Sequence, residues 1–403
     1  MSVLSGKKII LGISGGIAAY KTAALVRLLI KSGAHVQVIM TPASLDFITP
    51  LTLSTLSKNP VYSKFYNEEE EGATWNNHVE LGLWADLIII APATANTLSK
   101  MVNGNCDNLL IAVYLSAKCP VYFAPAMDLD MYKHPSTIAS FSALEQFGNI
   151  IIPAETGELA SGLSGEGRMA EPDNIVAFLE ADLSGKLPLK GKKILITAGP
   201  TYESIDPIRF IGNHSSGKMG YDLAEAAANL GAEVILVSGP TSMALKNNSI
   251  QLIRVISAEE MYNSCLEYFD SMDVVIAAAA VADYKPKVIA RQKIKKTDES
   301  FSIQLEKTKD ILAALGKVKE NQFLIGFALE TENEIENAKL KIQKKNLDLI
   351  VLNSLQDIGA GFGKTTNKVT FIDKDFNIEP MELKLKEEVA KDILNKVITY
   401  YHA

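Results

Sequence analysis

The chain has 403 residues, 47% hydrophobic and 22% charged, a make-up expected of a soluble globular protein of two or three domains. Its net charge of −7 disfavours a nucleic-acid backbone as partner, and no apolar run reaches the length of a membrane span. Three cysteines without a Cys-x-x-Cys pair, five scattered histidines and no N-terminal signal pattern argue against a disulfide framework or a metal cluster and point to the cytoplasm.

In chain order, Ile9-Ile10-Leu11-Gly12-Ile13 predicts a buried strand. It leads through Ser14-Gly15-Gly16 into an amphipathic helix that stops near Gly33, and Val36–Ile39 begins the next strand. Further strands are predicted at 86–91, 120–124 and 149–153. The segment 184–191, with Gly, Pro and Lys, reads as a linker between domains 1–188 and 189–403. The second half repeats the pattern: Ile194-Leu195-Ile196, a loop, a helix over 221–230, Gly231 and the run Val234–Val237. Strands are then predicted at 252–256, 273–279, 323–327 and 348–352, with an amphipathic helix at the C-terminus. The expected fold class is α/β, with two doubly wound Rossmann-like domains.

The segment 197–220 is the most informative. It gathers Arg209, Asn213, His214, Ser215, Ser216 and Lys218 at a strand–loop–helix crossover, where α/β proteins hold phosphates on free backbone N–H groups. The alternative is a long turn held by its own polar side chains, but a bare connection needs fewer residues. Neither half has a dinucleotide or ATPase fingerprint. Gly12-Ile13-Ser14-Gly15-Gly16 lacks the Gly-x-Gly-x-x-Gly spacing, and Gly217-Lys218-Met219 lacks the Ser or Thr that follows Lys in a phosphate-binding loop.

Several motifs together carry a resemblance. Thr197–Gly220, Ala277–Tyr284, Lys293-Ile294-Lys295-Lys296, Ile325–Thr331 and Lys345-Asn346-Leu347-Asp348 resemble the ligase half of the bifunctional coenzyme A biosynthesis enzymes. Those enzymes combine phosphopantothenoylcysteine decarboxylase with phosphopantothenate–cysteine ligase. Gly15–Lys21, His78-Val79-Glu80-Leu81 and Ala91–Thr97 are similar to the flavin half, and all the motifs follow the family order.

For 189–403 the resemblance implies a ligase with three small-molecule substrates. CTP activates the carboxylate of 4′-phosphopantothenate as an acyl-cytidylate, and the amine of cysteine displaces CMP. Bringing anions together calls for cations. By the same resemblance Lys293 is the triphosphate-side lysine and Asn213 holds the acyl-cytidylate, with Arg209 upstream. Asp283 is a nucleotide-site acid that acts through Mg2+, and Ala277, Ala278 and Ala279 let backbone groups approach the base. Lys307, Thr308, Lys309 and Asp310 occupy a nucleotide loop where the family usually reads Lys-Asn-Pro-Asp. Phe327 packs on the nucleotide, and Lys341 and Lys345, one helix turn apart, face the triphosphate. Taken alone, that lysine pair reads as a solvated helix face.

For 1–188 the resemblance implies FMN. Its phosphate is expected at Ser14, Gly15, Gly16 and Ile17, with further contacts from Thr41, Ser44, Thr94, Ala95, Asn96 and Thr97. In the family, flavin oxidises the cysteine-derived end of the substrate to a thiocarbonyl, decarboxylation gives an enethiolate, and reduced flavin returns the electrons. His78 corresponds to the active-site histidine, a proton acceptor near pH 7, although alone it reads as structural.

Two catalytic positions depart from the family pattern. Asp128 stands where many relatives have an asparagine that grips the substrate carboxylate, and its charge would repel that group by about 1–4 kcal/mol near a protein surface. Ser161 stands in a predicted lid, 158–169, where many relatives have the cysteine that donates the final proton. A serine hydroxyl is a far weaker acid than a thiol.

The expected function is the full two-step synthesis of 4′-phosphopantetheine. The alternative is an active ligase whose flavin half is impaired or does not reduce its product. A regulatory flavoprotein is a third reading, disfavoured because the acidic run is confined to Glu68–Glu71 and no acidic tail follows. The resemblance also implies a homo-oligomer, with trimer contacts in the flavin half and dimer contacts in the ligase half. Together these close a dodecamer in which His78 serves a neighbouring subunit.

Overall fold

The computed structural model describes residues 2–66, 75–295, 302–330, 332–354 and 364–402. Glu68–Glu71, Lys296 and Thr331 lie outside the described residues. The chain divides into two compact units, Met1–Gly185 and Lys186–Ala403.

In the first unit, strands β1 (Lys8–Ile13), β2 (His35–Met40), β3 (Val61–Tyr62), β4 (Leu87–Ala93), β5 (Val121–Pro125) and β6 (Ile150–Ile151) form one parallel sheet. Their order is β3-β2-β1-β4-β5-β6, so the direction of winding reverses between β1 and β4. That reversal opens a crevice at the strands' C-terminal ends. Helices α1 (Thr22–Lys31), α2 (Pro50–Ser57), α3 (His78–Trp84), α4 (Ala95–Asn103), α5 (Leu109–Ser116), α6 (Leu129–Lys133), α7 (Pro135–Gln146) and α8 (Pro172–Gly185) connect and cover the sheet. All seven residues of β4 are buried, as expected of a parallel strand with both faces covered. Ile9, Leu11 and Ile13 pack with α1 and α8, while Ile10 faces Leu110, Phe123 and Leu144 on the other side. The predicted lid is an antiparallel hairpin, β7 (Glu155–Glu158) and β8 (Ser164–Arg168).

The second unit contains β9 (Lys193–Ala198), β10 (Tyr202–Ser204), β11 (Phe210–Gly212), α9 (Lys218–Asn229), β12 (Glu233–Ser238), β13 (Gln251–Arg254), α10 (Ala258–Phe269) and β14 (Val274–Ala277). It continues with β15 (Tyr284–Pro286), β16 (Leu305–Lys307), α11 (Ile311–Val318), β17 (Phe323–Glu330), α12 (Glu334–Lys345) and β18 (Leu349–Ser354). The last elements are β19 (Thr366–Asn367), β20 (Val369–Asp373), β21 (Ile378–Pro380), β22 (Lys384–Leu385) and α13 (Lys386–His402). The main sheet runs β13-β12-β9-β14-β17-β18-β20-β21, parallel up to β18 and antiparallel beyond it. Winding reverses here between β9 and β14. Ile194 and Ile196 pack against α9 and α13, and Leu195 packs against α10.

Two details differ from the sequence expectation. The loop after β9 holds a small hairpin, β10–β11, whose Tyr202 and Phe210 rings stack with centroids 3.8 Å apart. The helix after it begins at Lys218 rather than 221, because Gly217 takes a left-handed φ of 78° as its N-cap. Among the described residues no helix is long and apolar enough to cross a membrane.

Candidate active sites

Two cavities open at the crevice of the first unit and share Ala126 and Met127. The first, of about 540 Å³, is lined by Gly15, Thr41, Thr94, Ala95, Asn96 and Thr97, among others. The second, of about 600 Å³, is lined by Gly16, Ile17, Lys21, Asp128, Ser161 and Arg168, among others.

The expected phosphate residues divide by role. Ser14 is fully buried, donates from Oγ to Pro92 O at 2.6 Å and accepts from Thr94 N at 3.1 Å. Ser44 is also buried and donates to Thr41 O at 2.7 Å. These two hydroxyls hold the crossover loops together rather than lining a cavity. Thr41 Oγ1 is buried with no hydrogen-bond partner among the described residues, so its hydroxyl is the one waiting for an acceptor. A Cβ on Gly15 would sit 2.8 Å from the Ala43 backbone, so only glycine allows the two loops this approach.

Ser161 Oγ donates to Asp128 Oδ1 at 2.8 Å, and the same oxygen accepts from Leu129 N at 2.8 Å to cap α6. The lid base is fixed from below. Gly167 O accepts from Met127 N at 3.0 Å, and a Cβ on Gly167 (φ 129°) would meet Met127 O at 2.5 Å. Lys21, 6% exposed, donates to Met169 O at 3.0 Å and to Glu171 Oε1 at 2.9 Å, and Arg168 pairs with the same carboxylate. Lys21 went unremarked as a site residue in the sequence, although it ends the motif Gly15–Lys21.

His78 is not with this group. It opens α3 behind the Asn77 cap, with Phe65 and Trp75 at ring-centroid distances of 6.5 Å. It lines neither cavity, and its Nδ1 is buried without a partner among the described residues.

In the second unit a cavity of about 520 Å³ brings together Ala277, Ala279, Asp283, Phe327, Lys345 and the run Lys307-Thr308-Lys309-Asp310. Ala279 N donates to Thr197 Oγ1 at 3.1 Å and Ala282 N to Thr201 Oγ1 at 2.9 Å, which pins the small-residue loop to β9 and to the turn that follows it. Thr308 Oγ1 donates to Ala282 O at 2.6 Å. The Lys309 charge is met by Glu259 at 2.6 Å. Asp310 caps α11 through Ala313 N and pairs with Lys345 at 2.8 Å. Burial raises its carboxyl, but Lys345 and that N–H outweigh burial and leave it lowered.

The structure separates some residues expected together. Lys341 pairs with Glu330 at 2.5 Å and does not line the cavity that Lys345 faces. Each lysine has its own carboxylate on a different element, Glu330 for Lys341 and Asp310 for Lys345, and both charges help to lower Asp310. Asn213, Arg209 and Lys293 also stand outside the lining. Asn213 Nδ2 donates to Ala280 O at 3.0 Å, and Ala278 lines a neighbouring cavity. Arg209 is held by Asp206 through Nε at 3.0 Å and Nη2 at 2.5 Å. Asp206 also accepts from Ile294 N at 3.2 Å, while Arg209 donates to Ile294 O at 2.9 Å. The pair thus ties down the residue next to exposed Lys293. Arg209 holds the buried Asp206 carboxyl well below the usual range. Sequence reasoning missed Asp206, whose only signal was its place three residues before Arg209.

Residues 2–184 match the Flavoprotein family, and residues 189–401 match the DNA/pantothenate metabolism flavoprotein C-terminal domain. A coenzyme A biosynthesis bifunctional protein CoaBC of Bacillus subtilis (strain 168) is 44% identical over 397 residues, 98% of this chain and 97% of that protein. A protein of unknown prokaryotic origin, named Cysteine/Cysteine sulfinic acid decarboxylase, is 54% identical over 360 residues, 88% of this chain and 100% of that protein. A solved C-terminal domain of a CoaBC is 44% identical and covers 54% of this chain and 99% of that one, with a TM-score of 0.47. Two domain matches in the same order, together with near-full-length identity, place the chain in the family of bifunctional coenzyme A biosynthesis proteins.

Proposed function

We propose that residues 189–403 join 4′-phosphopantothenate to cysteine with CTP, and that residues 1–188 decarboxylate the product to 4′-phosphopantetheine. The chain is a bifunctional coenzyme A biosynthesis enzyme with ligase and decarboxylase activities. The observation that carries the ligase assignment is the convergence of Asp283, Lys307, Phe327 and Lys345 on one cavity at a topological switch point.

In the ligase step, a carboxylate oxygen of 4′-phosphopantothenate attacks the α-phosphorus of CTP and pyrophosphate leaves. The amine of cysteine then attacks the acyl carbon, and CMP leaves. Both steps concentrate negative charge, which Lys307 and Lys345 offset from the cavity wall and Lys293 from the loop that Asp206 and Arg209 hold. The small side chains of Ala277 and Ala279 leave backbone groups open to the base, and Phe327 gives it an apolar face. Asn213, fixed on Ala280 O, holds the acyl-cytidylate. Asp283, exposed at the cavity, would offer a carboxylate oxygen to Mg2+ that arrives with the triphosphate.

The flavin half fits FMN. The orphaned Thr41 hydroxyl and Gly15 share the wall of one cavity, which supports a phosphate site where the first helical segment starts. When bound, FMN supplies two-electron oxidation and reduction at the cysteine-derived end of the substrate. The chain's own part is to hold the substrate beside Asp128 and to close the β7–β8 lid over it, which excludes water. His78 accepts its proton in a neighbouring subunit's cavity, within a homo-oligomer of trimeric flavin halves and dimeric ligase halves.

A second reading concerns the substrate of this half. The Asp128 carboxylate would pair with the α-ammonium of free cysteine, a group that phosphopantothenoylcysteine lacks. The relative named as a cysteine decarboxylase makes that substrate worth testing. Purified protein given 4′-phosphopantothenate, cysteine and CTP should release CMP and carbon dioxide in equal amounts. Carbon dioxide from cysteine without CTP would favour the second reading, and none would remove it.

A further inference from the structure

The two positions that depart from the family pattern form one polar unit on the wall of the cavity under the lid. Asp128 is half-buried, and both of its hydrogen bonds fall on a single oxygen. Oδ1 accepts from Leu129 N at 2.8 Å and from Ser161 Oγ at 2.8 Å. Oδ2 makes no hydrogen bond among the described residues. The carboxyl group is held by one edge, and its other oxygen is left for a proton or a ligand.

The other charged groups that line this cavity are Lys21, Arg168 and Glu158. Lys21 and Arg168 are both bound to Glu171, and both also act on Glu155, so two cations face two carboxylates. Asp130 and Lys133 on α6 and Glu166 on β8 do not line the cavity. A substrate carboxylate brought beside Asp128 therefore meets a like charge and no spare cation. Two carboxyl groups in such contact share a proton instead of both ionising. That proton gives Asp128 the donor that an asparagine would offer the substrate carboxylate. It also puts an acid beside the carbon that loses carbon dioxide.

Resting on the decarboxylase reading above, we propose that Asp128 is the acid that completes the reduction, and that the substrate's own carboxylate loads it with its proton. Phosphopantothenoylcysteine binds with uptake of a proton, shared between its carboxylate and Asp128. When the C–C bond to the carboxylate breaks, its electron pair forms the C=C bond of the enethiolate, and the C=S pair moves to sulfur. Carbon dioxide leaves without the proton, which stays on Asp128. The carbon that bore the carboxylate then takes the proton from Oδ2. The C=C pair forms that C–H bond, and a sulfur lone pair restores C=S. The C=S carbon takes hydride from the reduced flavin, which leaves the thiolate of 4′-phosphopantetheine, and water protonates the sulfur. Asp128 ends as a carboxylate. Ser161 is a positioning residue: its hydroxyl, with Leu129 N, fills Oδ1 and keeps the proton on Oδ2.

The test uses the full chain with FMN bound. Phosphopantothenoylserine, which has the carboxylate and lacks the thiol, is titrated calorimetrically near neutral pH in buffers of different ionisation enthalpy. The parent should take up about one proton per ligand, and Asp128→Asn, which still caps α6, close to none. With phosphopantothenoylcysteine, Asp128→Asn should form 4′-phosphopantetheine roughly 100-fold more slowly than the parent, the lower end for loss of a general acid. It should accumulate the product lighter by two hydrogens, and without oxygen its flavin should stay bleached after a turnover. Adding Ser161→Cys, a thiol acid, should recover about tenfold of the lost rate. Absent proton uptake in the parent, equal uptake in both proteins, or 4′-phosphopantetheine formed by Asp128→Asn at the parent rate would overturn the proposal. The parent's uptake carries the test if Asp128→Asn loses its flavin. A parent that releases no carbon dioxide from phosphopantothenoylcysteine would instead overturn the decarboxylase reading.

Discussion

The Ser161 hydroxyl is 2.8 Å from Asp128 Oδ1, which joins the lid to the turn that caps α6. These are the two positions at which the sequence departs from the Cys and Asn of the resemblance, and they touch each other. The contact suits Ser161 to a role that needs no acidity, that of a latch on the lid, which substitution tests. Ser161→Ala should slow carbon dioxide release about fivefold, the effect of losing about 1 kcal/mol of hydrogen bonding at an exposed site. An unchanged rate would show that the latch does nothing in turnover.

Asp128→Asn tests the charge itself. Removing a like charge worth about 1–4 kcal/mol should lower the KM for phosphopantothenoylcysteine at least fivefold. If free cysteine is a substrate, the same change should raise its KM. Steady-state carbon dioxide release with each substrate separates the two.

Lys21 should matter for stability as much as for flavin. Lys21→Met removes the buried donor to Met169 O and Glu171. The first unit should lose about 1–3 kcal/mol, seen as a lower denaturant midpoint for flavin release. A midpoint equal to the parent's would mean that water replaces the lysine.

Asp206 gives the second unit an acid-sensitive joint. Its carboxyl is depressed by Arg209 and by the N–H groups of Ile208, Arg209 and Ile294. A depressed carboxyl contributes stability that is fully present above the unfolded value of about 3.9 and is lost as pH falls toward the folded value. Asp206→Asn should therefore lower ligase stability at neutral pH and flatten its decline below about pH 4. Parallel acid-unfolding curves for the two proteins would contradict this.

The lysines should not be equivalent. Lys293→Gln should reduce CMP release about 100- to 1,000-fold, the scale for losing one preorganised charge-stabilising donor. Lys341→Gln should cost less than about threefold, because Lys341 is paired with Glu330 and does not itself line the cavity. Similar losses in both would mean that Lys341 swings to the triphosphate.

Much of the fold was legible because buried parallel strands are short apolar runs between glycine-ended helices, as in Ile194-Leu195-Ile196 and the helix that stops at Gly231. The antiparallel edge, β20 and β21, was not, since those strands are short and β21 is exposed along its length. Local motifs singled out Gly15, Asp283 and the Lys307–Asp310 loop, all of which line cavities. They could not reveal the contact between Asp128 and Ser161, 33 residues apart, which is made only through tertiary packing. Nor could spacing show that Ser14 and Ser44 turn their hydroxyls onto carbonyl groups, which leaves Thr41 as the open one.

The most direct test of the account is the mass of the final product from 4′-phosphopantothenate, cysteine and CTP. The account predicts 4′-phosphopantetheine, with one CMP and one carbon dioxide for each molecule formed. Accumulated phosphopantothenoylcysteine, or a decarboxylated product lighter by two hydrogens, would contradict it.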